Sequence, residues 1–433
     1  MVSPVPGLAP RFAAWRILHD VRHGVPFDVA LRRAIRDLEP DDRRLAHELA
    51  AGVFRHRSDL DQTLGTAIER GLDSVRADTL DILRLGAFQL RHLDKVPSHA
   101  AVQTTVGVAR RLGGRRVGGF VNAVLRRVAA EQPGGGAVVE GSVAERTSHP
   151  AWLVERWEAR FGAEATERLL AWNNHRAPMV LQPARASLPA LRSMLAAAGI
   201  ETEDAPFGAG IVVASGNPTK LPGFAEGAFV VQDPAQRLVA RFLDADPGSL
   251  VYDACAAPGG KTIAVAPAVR LVVAADRRRA RTTRLAENVE RAGTPNILVI
   301  EADALQPPIA HATAVLLDVP CLGTGTLARN PDARWRVTAE ALAGLVRQGS
   351  ALLEAVAPVV EPGGLLLFST CSLEIEENEE QIARFLSHDR RFRREPAATV
   401  PAELLTPNGD LMLLPHLHRT DGAFAARLRK IDP

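Results

Sequence analysis

Asp253-Ala-Cys-Ala-Ala-Pro-Gly-Gly-Lys-Thr262 decides how the rest of the chain is read. The apolar Ser249-Leu-Val-Tyr252 runs into it, and Ile263 to Val269 beyond it reads as the start of a helix. Strand, tight loop and helix form the unit with which open α/β sheets hold a nucleotide at the carboxyl ends of their strands. Gly259 and Gly260 lack a Cβ, so backbone N–H groups can approach a ligand closely where the helix dipole favours negative charge. A phosphate-cradling Gly-x-x-x-x-Gly-Lys-[Ser/Thr] loop would need glycine at position 255, which is Cys255. No Gly-x-Gly-x-x-Gly is present to hold a dinucleotide. A nucleoside-type cofactor remains, beside the plainer reading of a Gly-rich turn.

Further strands follow at βα intervals. Arg270-Leu-Val-Val-Ala-Ala-Asp276 ends in a carboxylate close to the ~20-residue interval at which an acid reaches ribose hydroxyls. Asn296-Ile-Leu-Val-Ile-Glu-Ala-Asp303 and Ala314-Val-Leu-Leu-Asp318 repeat the pattern. One strand-terminal Asp is usually a cap; four at this spacing gather on one edge of a parallel sheet.

Together with Asp318-Val-Pro-Cys321 and Ser369-Thr-Cys-Ser372, the first block resembles the signatures of S-adenosylmethionine-dependent RNA cytosine-5 methyltransferases of the Sun/RsmB type. That resemblance implies an α/β Rossmann-like methyltransferase domain. In it, Cys255, Ala256, Ala257, Pro258, Gly259, Gly260 and Lys261 wrap the methionine and ribose of the cofactor. Asp276 takes the ribose hydroxyls, Asp303 lies by the adenine, and Asp318 borders the methyl donor and target base.

Carbon 5 of cytosine is not nucleophilic in the resting ring. A thiolate adding to carbon 6 makes carbon 5 enamine-like and able to accept a methyl group; loss of the carbon 5 proton then expels the thiol. By the RNA-class pattern Cys371 is the nucleophile, Cys321 assists product release, and Asp318 stabilises the protonated pyrimidine. DNA cytosine methyltransferases use the Pro-Cys cysteine instead, and spacing leaves that assignment open. Cys371 follows Leu365-Leu-Leu-Phe368 in a loop entering an expected helix at Glu374, whose start amides would lower its pKa against the pull of Glu374, Glu376 and Glu377. Gly323-Thr-Gly-Thr326 and Arg329-Asn-Pro-Asp-Ala-Arg-Trp335 read as a mobile cationic loop able to clamp an unpaired or flipped nucleotide.

The three cysteines all lie in these blocks. An odd, sparse count argues against a disulfide framework, and their wide separation argues against zinc. Hydrophobic residues make up 46% of the 433, enough for sizeable cores. No ~18-residue apolar run occurs, and Met1 to Ile17 carries prolines and Arg11 in place of a signal core, so a cytoplasmic protein is expected, with no membrane partner. Net charge is only +2, which does not by itself announce nucleic acid. Of 52 basic residues only four are lysines, and Lys261 is one of them.

Residues from about 10 to 130 show helical apolar spacing, as in Leu80, Leu83, Phe88 and Leu90, and predict an all-α bundle. Arg110-Arg111, Arg115-Arg116 and Arg126-Arg127 form a cationic cluster. Asp41-Asp-Arg-Arg-Leu, Leu83-Arg-Leu-Gly-Ala-Phe-Gln-Leu, Val96-Pro-Ser-His-Ala-Ala-Val and Gly119-Phe-Val-Asn-Ala-Val-Leu-Arg126 resemble the RNA-binding NusB family. Pro133-Gly-Gly-Gly136 breaks the pattern. The expected division is 1–132, NusB-like; 133–235, linker and small α/β module; 236–433, methyltransferase. Met179-Val-Leu-Gln-Pro-Ala-Arg185 departs from the Arg-Val-Asn strand end usual in the family, which leaves no basis for carrying over RNA contacts there.

The expected activity is methylation of cytosine carbon 5 in 16S ribosomal RNA by a monomer that uses S-adenosylmethionine and takes neither DNA nor a metal. Transfer RNA as substrate, a non-catalytic RNA-binding assembly factor and, more distantly, a nicotinamide oxidoreductase stand as alternatives.

Overall fold

A computed structural model describes residues 7–130, 141–214 and 216–431. The Pro133–Gly136 break lies outside the described residues. Two compact units emerge: Met1–His175 with Leu327–Arg336, and Arg176–Thr326 with Val337–Pro433.

The first unit is helical. Helices Leu8–Arg22, Phe27–Ile35, Pro40–Arg55, Arg57–Ala67, Ala77–His92 and Ser98–Ala130 enclose a core containing Ile17, Leu49, Leu60, Leu64, Ile82 and Leu125. Each such side chain contributes about 1.5–3 kcal/mol on leaving water. The long helix kinks at Gly114, whose φ of 75° suits glycine. Its paired arginines, 110–111, 115–116 and 126–127, are all exposed. Helices Ala151–Phe161 and Ala163–Asn174 follow, separated at Gly162, and Trp157 is buried.

The second unit carries two sheets. In the smaller, β1 (Met179–Pro183), β2 (Thr202–Asp204), β3 (Ile211–Val213) and β4 (Phe229–Val231) pair antiparallel in the order β2-β3-β1-β4. The departure noted at 179–185 has a structural use. Buried Gln182 donates to the carbonyls of Ala209 (2.7 Å) and Gln232 (3.3 Å). Arg185 donates to the carbonyls of Glu290 (2.9 Å) and Arg291 (3.0 Å), closing the last turn of the helix Arg279–Ala292.

The larger sheet comprises β5 (Leu250–Asp253), β6 (Leu271–Asp276), β7 (Ile297–Glu301), β8 (Ala312–Asp318), β9 (Val360–Thr370), β10 (Phe392–Arg394), β11 (Leu411–Leu413) and β12 (Ala423–Lys430). Its order is β10-β12-β9-β8-β5-β6-β7, with β11 beside β12. Strands β5 to β9 are parallel; β12 runs antiparallel to β9, β10 and β11. Successive residues feed opposite cores: Val251, Val272, Leu316 and Leu367 join one, and Tyr252, Val273, Val315, Leu317 and Phe368 the other. Covering both faces accounts for the unbroken apolar strands. The winding reverses between β5 and β8, so the crevice beyond their carboxyl ends is where this architecture places ligands.

Candidate active site

The loop after β5 is held from two sides. Ala256 N–H donates to the Ala275 carbonyl on β6 (2.9 Å). From the helix Arg279–Ala292, Arg281 donates to the Ala257 carbonyl (2.6 Å) and Asn288 to that of Pro258 (2.8 Å). Gly259 has φ 105°, and a Cβ there would stand 2.6 Å from Leu285 Cδ1. The helix Gly260–Val265 starts one residue on, ahead of the Ile263 expected from sequence, and gives way to a 3-10 turn at Ala266–Ala268 rather than running on to Val269. Asp253 is buried and accepts from Thr262 Oγ1 at 2.6 Å. Burial pushes its carboxyl up to about 7, against the Thr262 hydrogen bond.

Asp276, also buried, accepts from Arg278 N–H at 3.1 Å and pairs with Arg281 at 3.3 Å. Asp303 lies just past β7 and accepts from Leu305 N–H at 3.0 Å. Cys255 is half-buried, and burial, with Asp253 next, pushes its thiol up to about 12. It is a neutral wall of the loop. These residues fit S-adenosylmethionine. Glycines let the backbone approach, a buried carboxylate ends β6, and buried Gln232 Oε1, beside Gly260, has no hydrogen-bond partner among the described residues. Gln232 was not singled out from sequence.

Asp318 ends β8 at the centre of a charged network. Lys261 Nζ donates to its Oδ2 at 2.7 Å, and Ser369 Oγ to its Oδ1 at 2.8 Å. Lys261 also binds Gln236 Oε1. Asp318 stands opposite Ser369 in the β8–β9 register, so the loops that follow leave adjacent strands side by side.

Those loops bring the two cysteines together. Cys321 Sγ lies 3.4 Å from Cys371 Sγ, and Cys371 N–H points at Cys321 Sγ from 3.3 Å. The hydrogen bond with Cys371, then burial, then Glu377 and Asp318 raise the Cys321 thiol well above its ordinary value. Gly325 must be glycine: a Cβ would come within 2.7 Å of Gly422 Cα and 2.8 Å of the Cys371 carbonyl, to which Gly325 N–H donates at 3.0 Å.

The helix expected at Glu374 begins at Glu379, so Cys371 does not sit on helix-start amides. Residues 374–378 form turns because their polar groups bind the cysteine loops instead. Thr370 Oγ1 donates to Asn378 Oδ1 (2.5 Å), Asn378 Nδ2 to the Ser372 carbonyl (2.9 Å), and Leu322 N–H to both Glu377 oxygens (3.0 and 3.3 Å).

The cationic clamp expected over 329–335 is corrected. Arg334 is fully buried, donating to Asn174 Oδ1 (2.6 Å) and to the carbonyls of Asn173 (2.8 Å) and Ser148 (3.3 Å). Trp335 Nε1 donates to the Phe54 carbonyl at 2.8 Å, with Arg57 over its ring. Arg334 and Trp335 are thus built into the helical unit, where a planar cation and an indole satisfy buried carbonyls. Among the described residues no cluster of three or more His, Cys, Asp or Glu suits a metal, and no helix is long and apolar enough to cross a membrane.

Comparison with known proteins agrees with this arrangement. Residues 240–429 match the family described as 16S rRNA methyltransferase RsmB/F, residues 9–130 the NusB family, and residues 149–220 the ferredoxin-like domain of RsmF/B-like methyltransferases. The probable ribosomal RNA small subunit methyltransferase B of Synechocystis is 38% identical, over 98% of this chain and all of that protein. Ribosomal RNA small subunit methyltransferase B of Pseudomonas putida is 35% identical, over 98% of each. The solved structure of PH0851 superposes with TM-score 0.84 at 26% identity, over 98% of this chain and 99% of the other. NSun6 from Pyrococcus horikoshii shares the fold, with TM-score 0.60 at 20% identity, over 66% of this chain and 99% of that one. A NusB-like helical domain, a small linking domain and an S-adenosylmethionine-dependent methyltransferase domain therefore make this chain a member of the RsmB/F family of RNA methyltransferases.

Proposed function

We propose that the protein methylates carbon 5 of a cytosine in 16S ribosomal RNA through a covalent bond between Cys371 and the base. The supporting observation is the pair of thiols 3.4 Å apart at the ends of adjacent strands, beside Asp318. Residues 1–132 dock the RNA, 133–235 link, and 236–433 hold cofactor and base; the enzyme works as a cytoplasmic monomer.

S-adenosylmethionine supplies an electrophilic methyl group, and Cys255 to Lys261, Asp276 and Asp303 hold it. Cys371 adds to carbon 6 as its thiolate, and the ring electrons move toward carbon 5. Asp318 orients the pyrimidine: with Lys261 and Ser369 each filling one lone-pair site, its oxygens keep acceptor capacity for the protonated ring nitrogen. Once carbon 5 carries the methyl group, release of its proton to solvent restores the double bond and expels the Cys371 thiolate, and Cys321, alongside that sulfur, assists its release. In the free enzyme the hydrogen bond with Cys371 and burial favour the neutral thiol of Cys321.

The test is to express Cys321→Ala, purify it under denaturing conditions and sequence any RNA bound to it. An adduct that disappears when Cys371→Ala is added supports the assignment, and the reads identify ribosomal RNA. Transfer RNA reads would replace the substrate. An adduct through Cys321 in Cys371→Ala protein would reverse the roles.

A further inference from the structure

The polar turn 374–378 lies behind both cysteine loops: Glu377 holds the loop of Cys321, while Asn378 beside it donates to the Ser372 carbonyl in the loop of Cys371 at 2.9 Å. The Glu377 carboxylate receives Leu322 N–H, the amide following Cys321, on both oxygens (3.0 and 3.3 Å). Glu377 and Leu322 are both buried, so these groups have protein partners rather than water. The neighbours are themselves fixed: Leu373 N–H donates to Thr324 Oγ1 at 2.9 Å, and Glu374 N–H to Ser372 Oγ at 3.1 Å.

We propose that Glu377 is the positioning residue that fixes the Cys321 loop and holds Cys321 where it can act on the Cys371 adduct. A backbone amide adjoining a reactive side chain sets where that side chain points. Losing its buried acceptor lets the Cys321 loop relax, while the cofactor loop after β5 rests on different partners, Arg281, Asn288 and β6. Glu377 acts through Cys321 and is not itself a group that touches the base. The proposal rests on the reading of Cys321 as the residue that assists release.

Three full-length variants, Glu377→Ala, Glu377→Asp and Glu377→Gln, are compared with Cys321→Ala for RNA covalently retained after denaturing purification, for turnover, and for cofactor affinity by calorimetry. Glutamine keeps an oxygen for Leu322 N–H, so it should retain no more adduct than wild type and stay within about threefold in turnover. Alanine removes the acceptor and aspartate withdraws it by one methylene. Both should accumulate adduct toward the Cys321→Ala level and lose tenfold or more in turnover, with cofactor affinity unchanged. Aspartate serves if the alanine protein does not fold. Adduct in Cys321→Ala but wild-type adduct levels in both Glu377→Ala and Glu377→Asp would overturn the role of Glu377 alone. Absence of adduct in Cys321→Ala itself would overturn the underlying assignment and, with it, this one. Adduct in all three Glu377 variants, including glutamine, would overturn positioning by hydrogen bonding.

Discussion

Lys261→Met removes one cation from the site and leaves the backbone of the cofactor loop in place. The Lys261 side chain is 11% exposed and that of Asp318 34%, with 2.7 Å between charged atoms. A hydrogen bond to a charged group contributes about 1.5–3 kcal/mol when sheltered and about 0–1 at the surface. Discounting for the exposure of Asp318 gives about 2 kcal/mol, or about a 30-fold loss in kcat/KM. Because the ammonium acts by holding Asp318, the loss should depend on that carboxylate. In a double-mutant cycle Lys261→Met should cost little more once Asp318→Asn is present, a coupling of about 2 kcal/mol. The assay is transfer of labelled methyl groups to unmodified ribosomal RNA under single-turnover conditions, with cofactor affinity measured separately. Losses that simply add in the double mutant, or a Lys261→Met enzyme within twofold of wild type, would refute the coupling.

Gly325→Ala places a Cβ against backbone on two sides; turnover should fall more than tenfold with cofactor affinity unchanged, as turnover assays and calorimetry will show. Arg334→Met orphans carbonyls of Asn173 and Ser148 and the Asn174 amide oxygen; partly offset by relief of the buried charge, this should cost the helical unit about 2–4 kcal/mol in urea denaturation followed by hydrogen exchange in Ala151–Asn174. Burial, with Glu374 and Glu376 adding, raises Glu377 to about 7 from an ordinary 4.5, so the folded state prefers its neutral form. Stability from this group is complete below pH 4.5 and declines as pH rises to 7, by up to about 3 kcal/mol. Glu377→Gln should flatten that slope in urea melts across pH 4.5–7.

The parts of this site legible in the sequence are those set by local repetition. Apolar runs ending in Asp253, Asp276 and Asp318 place strand ends, and the βα interval puts them on one edge. Gln232, Gln236, Arg281, Asn288 and Glu377 carried no such signal, because each acts on a residue far along the chain and an isolated Gln or Glu looks like a surface residue. The acidic run at 374 read as a helix start through its charge, whereas its side chains serve the cysteine loops. Arg334 and Trp335 read as an RNA clamp because cation and aromatic suit both a nucleotide and a buried carbonyl, and only burial separates the two uses. The cysteine blocks could be named as a pair by resemblance; their contact depends on β8 lying beside β9.

That strand register also limits how this chain can change length. Asp318 faces Ser369, Cys321 comes three residues after one, and Cys371 two after the other. One inserted residue before either cysteine would rotate its sulfur away from the other and pull Gly325 from its seat against Gly422. Insertions should therefore be tolerated at the far ends of these strands, and fail in the few residues between strand end and thiol.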